Sequence, residues 1–132
     1  MAQQLFANGA TTTLAVAIGP TTTSVSLTSG TGVLFPSPGA GQFFLLTFQD
    51  AATGLLNEIV MCTAISGDVA TIVRAQEGTT AQSWSGGDLA SVFVTAGTLA
   101  NLLQFNGNNF PTTPGTIGSG VIWNNGGALC VS

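Results

Sequence analysis

Apolar positions in this chain recur at every second residue far more often than at helical spacing. In Thr22–Leu27 (TTSVSL), Val25 and Leu27 fall on one face and Ser24 and Ser26 on the other, the period of a half-buried strand. Leu14–Ile18 alternates large and small residues and stops at Gly19-Pro20. Gln42–Phe48 (QFFLLTF) is apolar on both faces, which predicts a central strand, and Asp50–Gly54 turns the chain around after it. Glu58–Ile65 (EIVMCTAI) and Val69–Arg74 (VATIVR) flank Ser66-Gly67-Asp68, a short hairpin loop. Asp88–Val94 (DLASVFV) supplies one more strand. The sole helix candidate is Ala96–Gln104, where Leu99, Leu102 and Leu103 share a face at i, i+3, i+4 and Thr95 is placed to cap. Ser29-Gly30-Thr31-Gly32 and the stiff Phe35-Pro36-Ser37-Pro38-Gly39 break the remaining chain into loops.

Past the helix the texture changes. Residues 105–120 (FNGNNFPTTPGTIGSG) are too rich in Asn, Gly, Pro and Thr to build a core, and read as a linker or an extended arm. The last stretch predicts a small hairpin, with Val121–Trp123 and Ala128–Val131 flanking Asn124-Asn125-Gly126-Gly127. The N-terminal MAQQLFANGA is a second candidate arm. The expected fold is all-β: a small antiparallel β-sandwich or barrel-like domain with one short helix and an extended C-terminal arm ending in a hairpin. Residues 1–104 form the β-rich core and attachment domain in this reading, and residues 105–132 the arm.

Composition sharpens the picture. Only 5% of the 132 residues are charged, against roughly 25% in an ordinary soluble domain. Hydrophobic residues make up 45% and mean hydropathy is +0.50, yet no run approaches the ~20 apolar residues of a membrane-spanning helix. The N-terminus has no basic region, which argues against a secretory signal. With a net charge of −4 and one basic residue, the exterior must be built of Thr, Ser, Asn, Gln and Gly. Such surface is cheaper to desolvate than Lys or Glu, so the chain reads as a subunit that works packed against other subunits. Leu5, Phe6, Phe105, Phe110 and Trp123 are the candidate partner-interface residues. Cys62 and Cys130 have no framework spacing and read as small buried apolar groups made in a reducing cytosol.

The missing residue types exclude chemistry. Without His there is no catalytic triad and no imidazole metal site; without Lys there is no Walker A loop and no Schiff base; Tyr is absent too. Asp50, Asp68 and Asp88 stand beside glycine or at strand edges, ordinary places for turn aspartates, and no calcium loop motif is present. A single Arg cannot supply the phosphate contacts of a nucleic-acid binder. No catalytic residue, metal or cofactor is therefore expected. Arg74, Glu77 and Gly78 in RAQEGTT are expected to form a partly exposed structural clasp, its guanidinium fixing a turn through backbone carbonyls.

Four stretches also carry a family likeness: LFANGATTTL (Leu5–Leu14), GTGVLFPSPGAGQFFLLTF (Gly30–Phe48), EIVMCTAISGDVATIVRAQEGTTA (Glu58–Ala81) and WSGGDLA (Trp84–Ala90). Together they resemble a segment found in tail proteins of tailed bacteriophages, often at the N-terminal end of tail-fibre or baseplate-associated proteins. The densest signal is R-x-Q-E-G-T-T-A followed by an aromatic residue and G-D, here Arg74, Gln76 to Ala81, Trp84, Gly87 and Asp88. Ala75 stands where that pattern usually has glycine. The resemblance implies a structural virion protein rather than an enzyme, made in the bacterial cytoplasm, joined to other tail, baseplate or fibre subunits, and assembled as a homo-oligomer with three-fold symmetry as the first expectation. The lone Arg and the short apolar runs already leave neither nucleic acid nor membrane as an expected partner. Two alternatives remain beside it: a capsid decoration protein, and a small host-glycan-binding module using Trp84 or Trp123.

Overall fold

The spine of the molecule is the strand predicted to be central. The computed structural model, which describes residues 2–103, 122–125 and 128–131, runs it from Gln42 to Gln49. It is β4 in chain order, after β1 (Gln3–Gln4), β2 (Thr11–Thr13) and β3 (Ser24–Ser26). Phe44, Leu45, Leu46 and Phe48 are all buried, so this strand is covered on both faces. It pairs antiparallel with β5 (Asn57–Ser66) from Phe44↔Cys62 to Gln49↔Asn57, and with β7 (Leu89–Ser91) at Thr47–Gln49. The hairpin partner of β5 is β6 (Val69–Gln76), and the sheet runs β2-β7-β4-β5-β6-β3.

This sheet curls into a half-barrel. Past their ends the two outer strands meet: Leu14 pairs with Leu27, the Ala15 N–H donates to Ser26 O at 2.8 Å, and the Thr28 N–H to Thr13 O at 2.9 Å. Threonine hydroxyls reinforce the seam, Thr12 to Thr31 and Thr13 to Thr28 at 2.7 Å each. Inside lie Leu14, Val25, Leu27, Phe44, Leu46, Phe48, Val60, Cys62, Ile72 and Trp84. Phe35 stacks on Phe44 with centroids 6.0 Å apart, and Trp84 meets Phe48 edge-on at 5.9 Å. Burying each large side chain contributes about 1.5–3 kcal/mol.

The structure departs from the sequence pattern in four places. Leu14–Ile18 is not a continuous strand, because its two ends have different partners: Leu14 bridges Leu27, whereas Ile18 bridges Trp84, and Val16 between them is exposed. The N-terminus is no free arm in its first residues. Gln3 and Gln4 pair in parallel with Gln42 and Phe43, and Leu5 packs against the core. The chain divides into compact units at Met1–Phe93 and Val94–Ser132, so the helix belongs with the second unit and the boundary lies earlier than residue 104. Within that second unit, α1 (Ala96–Leu103) has the expected cap, the Thr98 N–H reaching Thr95 Oγ1 at 3.2 Å. Strands β8 (Ile122–Asn125) and β9 (Ala128–Val131) form the expected hairpin, but Asn125 pairs with Ala128, which draws both asparagines into the strand. The stretch 105–120 lies outside the described residues.

Candidate functional site

The lone cation points inward, in phase with Ala70 and Ile72 on β6, and a bulge on β5 brings its acid partner to the same face. From Ser66↔Val69 to Ala64↔Thr71 the β5–β6 register is regular. Continued unbroken, it would set Met61 opposite Arg74 on the inner face and turn Glu58 outward. Instead the register shifts between Cys62 and Ala64: β5 advances two residues while β6 advances one, leaving Thr63 as the extra residue. Cys62 now faces Ile72, and the inward series on β5 becomes Cys62, Val60, Glu58, on the same face as Ala70, Ile72 and Arg74 of β6. The second shift, between Met61↔Val73 and Ile59↔Gln76, places the extra residue on β6 and restores the register. Ala75 lies in this bulge with φ +55°.

Glu58 is fully buried and the Arg74 side chain is 8% exposed. Their pairing is bidentate, Arg74 Nε to Glu58 Oε1 at 2.8 Å and Nη2 to Oε2 at 2.7 Å. Nη1 donates to the carbonyls of Gly19 (2.6 Å) and Thr22 (3.2 Å), and Nη2 also donates to Gln82 O at 2.6 Å. These bonds use all five N–H groups of the guanidinium. The carboxylate receives three more donors: the backbone N–H of Ala75 (3.1 Å) and Gln82 (3.2 Å), and the Trp84 indole N–H (2.8 Å). Burial alone would push the Glu58 pKa up, but the hydrogen bonds from Arg74, Trp84, Ala75 and Gln82 outweigh it and hold the group below its usual range.

The partner of Arg74 is therefore Glu58, sixteen residues upstream, rather than Glu77. Arg74 does bond backbone carbonyls, but from a buried position, and those carbonyls belong to Gly19, Thr22 and Gln82 rather than to its own turn. Glu77 and Gly78 are the central residues of the turn that follows, closed by the Thr79 N–H on Gln76 O at 3.0 Å. Both have positive φ, +52° and +77°, as the primed turn types require. The Thr79 hydroxyl accepts from the Ile59 N–H, which returns the chain toward Gln82 and Trp84. Gly19-Pro20-Thr21-Thr22 forms the other contributing turn, with proline at its second position and the Thr22 N–H on Gly19 O. One ion pair thus joins two strands and two loops.

The three aspartates organise turns. Asp68 Oδ2 and Oδ1 accept the N–H groups of Gly30 and Gly32 at 2.9 and 2.8 Å, which lowers its pKa. Asp50 accepts from Thr53 and from the Leu56 N–H, and these bonds bring its pKa down to about 2. Asp88 ties the Ala51 and Ser85 N–H groups together. Among the described residues no group of three His, Cys, Asp or Glu side chains converges as a metal site would require, and no helix is long and apolar enough to cross a membrane. No protein-family model matches this chain, and no curated protein matches it.

Of the candidate interface residues, Leu5 is partly buried against the core and Phe6 is half exposed. Trp123 lies in β8, and Phe105 and Phe110 lie outside the described residues. Trp84 is buried with its indole nitrogen committed to Glu58, so it has no free face on which a sugar could stack. Sequence reasoning missed Glu58 as the key partner. The signal was present: Glu58 is in phase with Val60 and Cys62 on an apolar strand, and a carboxylate on that face calls for the only cation the chain owns.

Proposed function

We propose that this chain is a structural virion subunit of a tailed bacteriophage, a tail-fibre or baseplate adaptor that assembles with itself and with neighbouring virion proteins through uncharged interfaces. The observation that carries the reading is the enclosure of Arg74. Since the chain holds no other Lys or Arg, its exterior bears no side-chain cation. What the folded surface offers instead is hydroxyls, amides and well-exposed apolar residues, Val33 at 86%, Leu55 at 80% and Phe93 at 53% among them. A surface of this kind suits permanent contact better than free diffusion. The saturated Glu58–Arg74 pair fits a scaffold role: its polar atoms are spent on holding strands and loops, leaving no lone pair or proton for a substrate. The sequence likeness to phage tail segments supports a tail as the assembly.

The test is location. Antibodies raised against this chain and coupled to gold should label the tail tip or fibre bases of particles made from the genome that encodes it. Label on the head facets would replace the adaptor reading with that of a decoration protein, and unlabelled particles would overturn both. Sedimentation of the purified chain should give an oligomer, with a trimer expected.

A further inference from the structure

Between β1 and β2 the chain makes a turn whose tip is Asn8-Gly9. Ala7 packs against the core on one side of the tip and Ala10 is buried on the other. The tip itself is exposed. Among the described residues the Asn8 side chain makes no hydrogen bond, and the Gly9 N–H donates none. Gly9 has φ +65°, and a Cβ built there would meet nothing within 4 Å. A free carboxamide therefore stands next to a free backbone amide, followed by a residue with no side chain to crowd a ring closing over it. The contrast with other asparagines is physical. Asn57 is held in the β4–β5 ladder opposite Gln49, Asn101 lies within α1, and Asn125, which also precedes a glycine, is paired with Ala128.

We propose that Asn8 is a site of spontaneous deamidation, a covalent modification that needs only water. The Gly9 backbone nitrogen attacks Cγ of Asn8. The N–Cγ bond forms, the bond from Cγ to the side-chain nitrogen breaks, and ammonia leaves carrying the proton that the Gly9 nitrogen gives up. Water then opens the resulting five-membered imide at one of its two carbonyls. Opening on one side gives aspartate. Opening on the other gives isoaspartate, in which the main chain runs through the former side chain and is longer by one carbon. No electrons are exchanged, and the net change is addition of water and loss of ammonia. Either product adds a carboxylate to a chain whose net charge is already −4, at the joint that connects the docked N-terminal strand to the half-barrel.

The full-length folded chain, incubated in mildly alkaline buffer at body temperature, tests this against the same chain in concentrated urea. Chymotrypsin cutting after Phe6 and Leu14 releases residues 7–14 (ANGATTTL), which contain a single asparagine. Mass and chromatographic position of this peptide report amide, aspartate and isoaspartate separately. The folded chain should convert at Asn8 within about tenfold of the unfolded rate, giving both acids, because folding places only a small barrier there. Protection greater than tenfold would mean that the anchored flanks hold the two groups apart, and would overturn the assignment.

Discussion

The indole nitrogen of Trp84 lies 2.8 Å from Glu58 Oε2, the same oxygen that Arg74 Nη2 holds at 2.7 Å. A core aromatic, a buried acid and the chain's single cation thus act as one unit. Removing one member leaves the others with unmade bonds inside the half-barrel. Arg74→Met should lower unfolding free energy by about 3–5 kcal/mol, since an uncompensated buried carboxylate remains. Trp84→Phe, which leaves the acid one donor short, should cost about 1.5–3 kcal/mol. Glu58→Leu combined with Arg74→Met should recover most of the single-variant loss. Urea titrations of the set decide the matter: a double variant as unstable as Arg74→Met would show that the pair is worth more than the apolar packing that replaces it.

A second prediction concerns the bulge. Ala75 adopts φ +55°, a region that costs a residue bearing a Cβ about 1–2 kcal/mol. Glycine enters it freely but loses more backbone entropy on folding. The net gain for Ala75→Gly should be about 0.5–1 kcal/mol, read as a higher urea midpoint at an unchanged slope. A lower midpoint would place the cost of glycine in the unfolded chain above the strain it relieves.

The acid limb of stability follows from the carboxylates. Asp50, Glu58 and Asp68 all have folded pKa values below their ordinary ones of 3.8, 4.5 and 3.8. A depressed folded pKa gives stability that is complete above the unfolded value and is lost as pH falls toward the folded one. With no histidine in the chain and the buried Cys62 thiol pushed up to about 11, stability should be flat from about pH 5 to about pH 8. It should then decline below the ordinary carboxylate range, the Asp50 contribution persisting to about pH 2. Thermal melts across this range give the check, and a step near neutrality would contradict it.

Gly32 sits where the turn Gly32–Leu34 crosses the β5–β6 hairpin. A Cβ there would overlap the carbonyl of Gly67, backbone that has little room to give. Gly32→Ala should force the turn off the hairpin tip, loosen the Asp68 bond to the Gly32 N–H, and cost about 1–3 kcal/mol. Gly30→Ala, where a Cβ meets open space but φ is +79°, should cost less, about 1 kcal/mol. Equal losses at the two sites would mean that backbone strain rather than overlap governs this corner.

Much of the fold was legible because local patterns and final burial agree. Val25 and Leu27 face inward as their spacing requires, β4 is covered on both faces, the hairpin closes at Ser66↔Val69, and Thr95 caps α1. The site was half legible. Arg74 as a structural clasp follows from the absence of other cations, but its partner does not follow from sequence distance. Glu77 is three residues away and Glu58 sixteen, yet the bulge at Thr63 turns Glu58 to the face that Arg74 occupies. A one-residue slip in register moves a side chain to the opposite face, and nothing in CTAISGDVAT announces where the slip falls. Likewise Leu14–Ile18 has the composition of a strand, and only the closing of the sheet reveals that its two ends serve different neighbours.

The enclosure of Arg74 also governs how this protein can be cut. Trypsin requires a basic side chain in an extended, accessible segment, and this chain provides one such residue, folded into its interior. Cleavage must wait until β6 leaves the sheet and the guanidinium surrenders its five bonds. Where reclosing outruns the protease, the digestion rate measures how often the barrel opens, so a single peptide bond becomes a gauge of the whole domain's integrity.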